Sequence, residues 1–160
     1  MRLLNKIRRT VRRMFSPLHE RKRFYLAHPF DSRHELREWE LEVEKSTGLE
    51  IVNPFYDIDR GTDISDVDEG RSVRYSSGKH KAIVTRDVKA IRKTDGVIAF
   101  VTGDLSYGTI QELVYAYLDS APVYLVCTNG HEEHPWLVYH TTKIFTSREE
   151  LEEFLVFHIM

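Results

Sequence analysis

A single cysteine in 160 residues leaves no partner for an intramolecular disulfide and no thiol cluster for a metal. Cys127 on its own therefore points to a reducing compartment, read here as cytoplasmic. Nowhere does an apolar run approach the roughly 20 residues that a membrane-spanning helix needs. Within residues 1–23 the longest apolar run is two residues, so the core of a secretory signal peptide is missing as well. What remains is ordinary for one compact domain: 41% hydrophobic and 30% charged residues, enough to bury a core and solvate a surface.

Net charge is also nearly absent, at −2, but the small number conceals a division. Residues 1–23 carry Arg2, Lys6, Arg8, Arg9, Arg12, Arg13, Arg21, Lys22 and Arg23 against Glu20 alone, an excess of eight positive charges. Residues 24–160 must then hold an excess of ten negative ones. In the basic segment Leu3, Leu4, Ile7, Val11, Met14, Phe15 and Leu18 recur at spacings of three and four, one face of a helix that Pro17 bends or ends. Such a leader suits docking on its own domain or a second subunit, contact with an anionic membrane surface or nucleic acid, or organelle targeting. The spacing does not choose among them. The chain thus divides into a basic leader, 1–23, and a domain, 24–160.

From Arg23 onward short apolar runs alternate with helical periods. Phe24 to Ala27 reads as a strand, and a helix follows over about 32–46 with Gly48 as its stop. Residues 49–52 form a second strand, 56–76 a polar loop, and a helix runs to about Lys93. Gly96 to Val101 is a strand continuous enough to be buried on both faces. A helix over about 107–119, a strand at 123–126, a strand at 143–145 and a closing helix from Ser147 to about Phe157 complete the pattern. No helix is expected around Pro135. Strand–helix alternation of this kind predicts an α/β fold, a flavodoxin- or Rossmann-like parallel sheet of about five strands with helices on both faces. Ligands of such sheets lie beyond the carboxyl ends of the strands, where strand order reverses.

That rule directs attention to the segments after each strand. In Thr102 to Glu112, Ser106 is a good helix N-cap and Gly108 allows close backbone approach. The helix start offers free N–H groups and partial positive charge to an anion. Glu112, a turn and a half inside, has a side chain that leans back toward this end. By itself Glu112 is an ordinary helical glutamate. Metal chemistry finds little support: His131 and His134 in Gly-His-Glu-Glu-His-Pro lack a helical pattern, and the acidic 57–68 stretch has no glycine in calcium-loop register. Neither a metal nor a cofactor is expected.

Three segments resemble the nucleoside 2-deoxyribosyltransferase family, which includes nucleoside 5′-monophosphate N-glycosidases. They are Tyr25-Leu26-Ala27-His28-Pro29-Phe30; Arg86-Asp87 followed by Thr94-Asp95-Gly96-Val97-Ile98-Ala99; and Ser106-Tyr107-Gly108-Thr109-Ile110-Gln111-Glu112 followed by Ala121-Pro122-Val123. Their order and spacing agree over roughly residues 24–156, and the leader lies outside. The resemblance implies that Glu112 is the nucleophile, Asp87 the carboxylate acting at the base, and Tyr25 the tyrosine that positions Glu112. It also implies a nucleotide or nucleoside substrate and a homodimer or higher homo-oligomer, with Asn129 reaching its own or a neighbour's site.

Cleaving a C1′–N bond develops oxocarbenium character at the sugar, which a carboxylate stabilises and traps. The departing base needs a proton from a second acid. Ser106 stands where transferases acting on free nucleosides usually have aspartate. A hydroxyl donates to a 5′-phosphate that a carboxylate would repel. Ser32 and Arg33 add possible phosphate contacts, and Phe30 and His28 line the same segment. His28 departs from the family's usual glycine. The expected activity is hydrolysis of a nucleoside 5′-monophosphate. Base exchange between nucleosides is the alternative, and a non-catalytic nucleotide-binding module stands beside both.

Overall fold

The computed structural model describes residues 21–57 and 77–159. The expected leader helix and most of the polar loop after the second strand lie outside these described residues. Five strands form one sheet in the order β2-β1-β3-β4-β5, every neighbouring pair parallel. They are β1 (Arg23–Ala27), β2 (Glu50–Val52), β3 (Gly96–Val101), β4 (Val123–Cys127) and β5 (Lys143–Phe145). The helices between them are α1 (Arg33–Thr47), α2 (Ser77–Lys93), α3 (Tyr107–Leu118), α4 (Pro135–His140) and α5 (Arg148–Phe154).

Side chains alternate across the sheet and build two cores. Phe24 and Leu26 of β1 join Ile98 and Phe100 of β3 on one face, under Leu36, Trp39 and Val43 of α1 and Leu151 of α5. Trp39 meets Phe100 edge to face at 4.9 Å, and its indole N–H donates to Glu152 at 2.7 Å. Tyr25 and Ala27 point the other way, into a core with Val97, Ala99, Ile91 of α2, Leu113 and Ala116 of α3, and Leu137 of α4. The three inner strands are buried almost throughout, as their uninterrupted apolar runs require. Each fully buried leucine or isoleucine contributes about 1.5–3 kcal/mol.

Close packing also explains two glycines. Gly96 opens β3 where a Cβ would come within 2.7 Å of Phe24 Cε1 and 3.0 Å of Pro122, so no larger residue fits there without displacement. Gly48 ends α1 in the left-handed region, φ 72°, and its N–H donates to the Glu44 carbonyl at 2.9 Å.

The segment around Pro135 departs from expectation. Pro135 is the first residue of α4, where its missing N–H costs nothing, and His134 caps the helix by accepting from the Trp136 N–H. The closing helix keeps regular geometry to Phe154 and then widens into a π turn over Leu155–Ile159. Among the described residues no helix is long and apolar enough to cross a membrane.

The chain moves from β1 outward to β2, crosses back to β3 and then continues to β4 and β5. Strand order therefore reverses between β1 and β3. The crevice beyond the carboxyl ends of these two strands is where a ligand site belongs.

Candidate active site

Tyr25 stands in β1 opposite Val97 of β3 and Val52 of β2, with no exposed surface. Its hydroxyl donates to Glu112 Oε1 at 2.5 Å, joining the central strand to α3. Ser106 begins that helix in extended geometry, φ −91° and ψ 126°, and its Oγ accepts from the Thr109 N–H at 3.5 Å. The serine is thus an N-cap, as its sequence position suggests, and its Oγ retains capacity for a further contact. Gly108 is exposed, and a Cβ added there would touch only Ser106 Oγ, at 3.7 Å.

Asp87 comes from α2 and is held by its neighbour, the Arg86 Nε donating to Oδ1 at 2.9 Å. Burial pushes the Glu112 carboxyl up to about 8; the nearby Asp87 charge pushes the same way, while the Tyr25 hydrogen bond and Arg86 oppose. Burial likewise raises Asp87, against the pull of Arg86. Burial and the charges of Glu112 and Asp87 raise the Tyr25 phenol well above its usual range. Tyr25 therefore remains a donor at any working pH. Both carboxyl groups therefore resist ionisation more than a solvated carboxyl does. Such a pair can offer one proton to a leaving group and one oxygen to an electrophile.

The remaining expected residues separate into those on the crevice wall and those already engaged. Phe30 begins a short 3-10 turn after β1, and the Arg33 guanidinium lies 3.8 Å from its ring centre while donating to the Phe30 carbonyl. Ser32 precedes α1 without capping it through its side chain. His28 is 3% exposed: Nδ1 lies 2.9 Å from the Pro29 carbonyl, Nε2 3.4 Å from Asn53 Oδ1, and burial lowers its pKa. Asn129 bridges two loops, its Nδ2 donating to the Gly103 carbonyl at 2.7 Å and its Oδ1 accepting from Cys127 Sγ. The structure thus brings Tyr25, Glu112 and Asp87 together between β1, α2 and α3, with Ser106 at the start of α3. His28, Phe30, Ser32 and Arg33 form the β1 side.

Residues beyond the sequence expectation also matter. Arg86 acts on both carboxylates, and its adjacency to Asp87 was the available signal. Glu40, Arg37, Asn53 and Asp57 form a hydrogen-bonded group behind His28. Glu40 shares the buried stripe of α1 with Leu36, Val43 and Thr47, a charged residue out of place on an apolar face. A depression of about 780 Å³ along α2 is lined by Arg23, Val52, Lys81, Arg86 and Lys89, without Tyr25, Asp87 or Glu112. Arg86, which holds Asp87, is part of its lining and connects it to the carboxylates. Among the described residues no group of three or more His, Cys, Asp or Glu is placed to hold a metal.

No protein-family profile and no curated protein matches the sequence. Solved structures do. The 2-deoxyribosyltransferase of Bacillus psychrosaccharolyticus superposes with a TM-score of 0.60 at 18% identity, covering 81% of this chain and 90% of that one. A conserved protein of Enterococcus faecalis V583 gives 0.60 at 18%, covering 84% and 96%. The CMP N-glycosidase of Clostridium botulinum gives 0.51 at 19%, covering 84% and 98%. The two named activities are those of the family that the sequence motifs resemble, and the chain has the fold of these proteins.

Proposed function

We propose that the protein hydrolyses the N-glycosidic bond of a nucleoside 5′-monophosphate. The observation that carries the proposal is the Tyr25–Glu112 hydrogen bond beside Asp87, at the point where strand order reverses. With Asp87 protonated and Glu112 ionised, a Glu112 oxygen attacks C1′ as the C1′–N bond breaks, and the base leaves with the Asp87 proton. Water then adds at C1′, gives its proton to Asp87 and frees the Glu112 carboxylate. Tyr25 holds Glu112 on line and stabilises its ionised form. Ser106 Oγ and the N–H groups opening α3 receive the 5′-phosphate, with Arg33 across the crevice.

Base exchange is a second reading, favoured by the fold shared with a 2-deoxyribosyltransferase. Here another base rather than water would resolve the glycosyl-enzyme. In either case the substrate is a small nucleotide or nucleoside. Exposed Trp136 and Tyr139 on α4 suit the homodimer that the resemblance implies.

The deciding experiment incubates the protein with ribo- and deoxyribonucleoside monophosphates and detects free base by chromatography. Release is expected for at least one monophosphate and is expected to vanish in Glu112→Ala; release that survives this change removes Glu112 as nucleophile. Exchange with added base, without net hydrolysis, selects the transferase. Ser106→Asp is expected to weaken monophosphate cleavage selectively, so equal losses on nucleosides would overturn the phosphate assignment.

A further inference from the structure

Glu40 is the one fully buried carboxylate on α1, and nothing in the glycosidic chemistry uses it. Burying a charge is costly, and an apolar residue in the same place often serves stability as well. Its partners indicate what it secures. Arg37 donates to Oε1, and Asn53 Nδ2 donates to Oε2 at 2.5 Å. Asn53, itself fully buried, directly follows β2 and organises the turn after it. Its N–H donates to Asp57 Oδ2 at 2.9 Å, and its carbonyl accepts from the Tyr56 and Asp57 N–H groups. Arg37 completes the ring by reaching both Asp57 oxygens, at 3.1 and 3.2 Å.

The consequence lies at the other end of the Asn53 amide. With Nδ2 committed to Glu40, Oδ1 must face the Phe55 N–H at 3.0 Å and His28 Nε2 at 3.4 Å. The His28 ring packs at 5.0 Å on Phe55, which meets Phe30 edge to face at 5.5 Å. A charged group on the buried face of α1 thus fixes a three-ring wall at the carboxyl ends of β1 and β2. Tyr25, Asp87 and Glu112 are held by separate contacts.

We propose that Glu40 is a positioning residue for substrate selection, acting through Asn53 and His28 on the wall that faces the sugar or base. This rests on the reading of the crevice as a nucleotide site. Glu40→Gln keeps the side-chain size but loses the charge that holds both Arg37 and Asn53 Nδ2, which frees the Asn53 amide to turn. It should raise KM roughly tenfold while leaving kcat within about twofold, and narrow the spread of kcat/KM among the bases. His28→Ala should do the same, and the double variant should be no worse than His28→Ala alone, since both changes break one line of contacts.

The full chain is assayed as wild type, both single variants and the double variant on the monophosphate panel, with calorimetric dissociation constants alongside. Unchanged KM and base preference in Glu40→Gln, a loss confined to kcat, or additive losses in the double variant would each overturn the proposal. A wild type that cleaves no nucleotide refutes the enzymatic reading, and Glu40 is then judged on the dissociation constants alone. Equal affinities in wild type and Glu40→Gln, or no binding by either, overturn it there. The ring-nitrogen NMR signals of His28 should shift in Glu40→Gln without substrate, and unshifted signals also count against it.

Discussion

Replacing Glu112 by glutamine removes a titrating group as well as the proposed nucleophile, and the fold should register the difference. In the unfolded chain this carboxyl ionises near 4.5, whereas burial, reinforced by Asp87, raises it to about 8 in the folded protein. Between those values the folded state keeps a proton that the unfolded state has lost, so unfolding releases it. Stability therefore falls as pH rises through this window and levels off above about pH 8. Full separation would amount to roughly 5 kcal/mol at about 1.4 kcal/mol per pH unit. The residue is only half-buried, so solvent screening reduces this to about 2 kcal/mol. Glutamine does not titrate and keeps an acceptor for Tyr25. The variant should match wild type near pH 5 and exceed it by about 2 kcal/mol near pH 8, some 6 °C in Tm. Thermal unfolding followed by circular dichroism at several pH values and fixed ionic strength measures this. A difference that is constant with pH, or a wild type that gains on the variant as pH rises, would refute the reasoning. Asp87→Asn removes the like charge and should flatten the wild-type slope.

Three further outcomes follow from the geometry. Tyr25→Phe keeps the buried ring but deletes the donor to Glu112. Base release at neutral pH should fall roughly 10- to 100-fold and recover in part at higher pH; an unchanged pH–rate profile would separate Tyr25 from the nucleophile. Gly96→Ala drives a methyl group into Phe24 and Pro122, and urea unfolding should show a loss of about 1–3 kcal/mol. Ser106→Ala removes the α3 cap, costing about 1 kcal/mol on any assay of stability. If Ser106 also receives phosphate, KM should rise for monophosphates and stay level for nucleosides.

The fold was legible where local rules coincide with tertiary ones. Gly96 to Val101 is apolar throughout because both faces are covered, so its limits could be read directly. Ser106 and Ser147 cap helices in the structure as their spacing suggests. Around Pro135 the segment is too short to read, since a six-residue helix offers no full apolar period. Glu112 and Tyr25 lie 87 positions apart, and only β1 packed beside α3 makes them partners. The family resemblance named the pair; no local pattern does so. Glu40 was missed because charge on a helix is ordinarily assigned to solvent, and only its register with Leu36 and Val43 contradicts that habit.

The alternation of β1 has a further consequence. Phe24 and Tyr25 are neighbours in sequence but belong to opposite cores, and Tyr25 is at once a packed interior ring and the hydrogen-bond donor to Glu112. A slip of one residue in strand pairing would turn it away from Glu112 and leave a hole in the second core. Strand register and the hold on Glu112 therefore depend on the same side chain. A substitution that changes the Tyr25 hydroxyl leaves the packing of the second core in place only if the ring is kept.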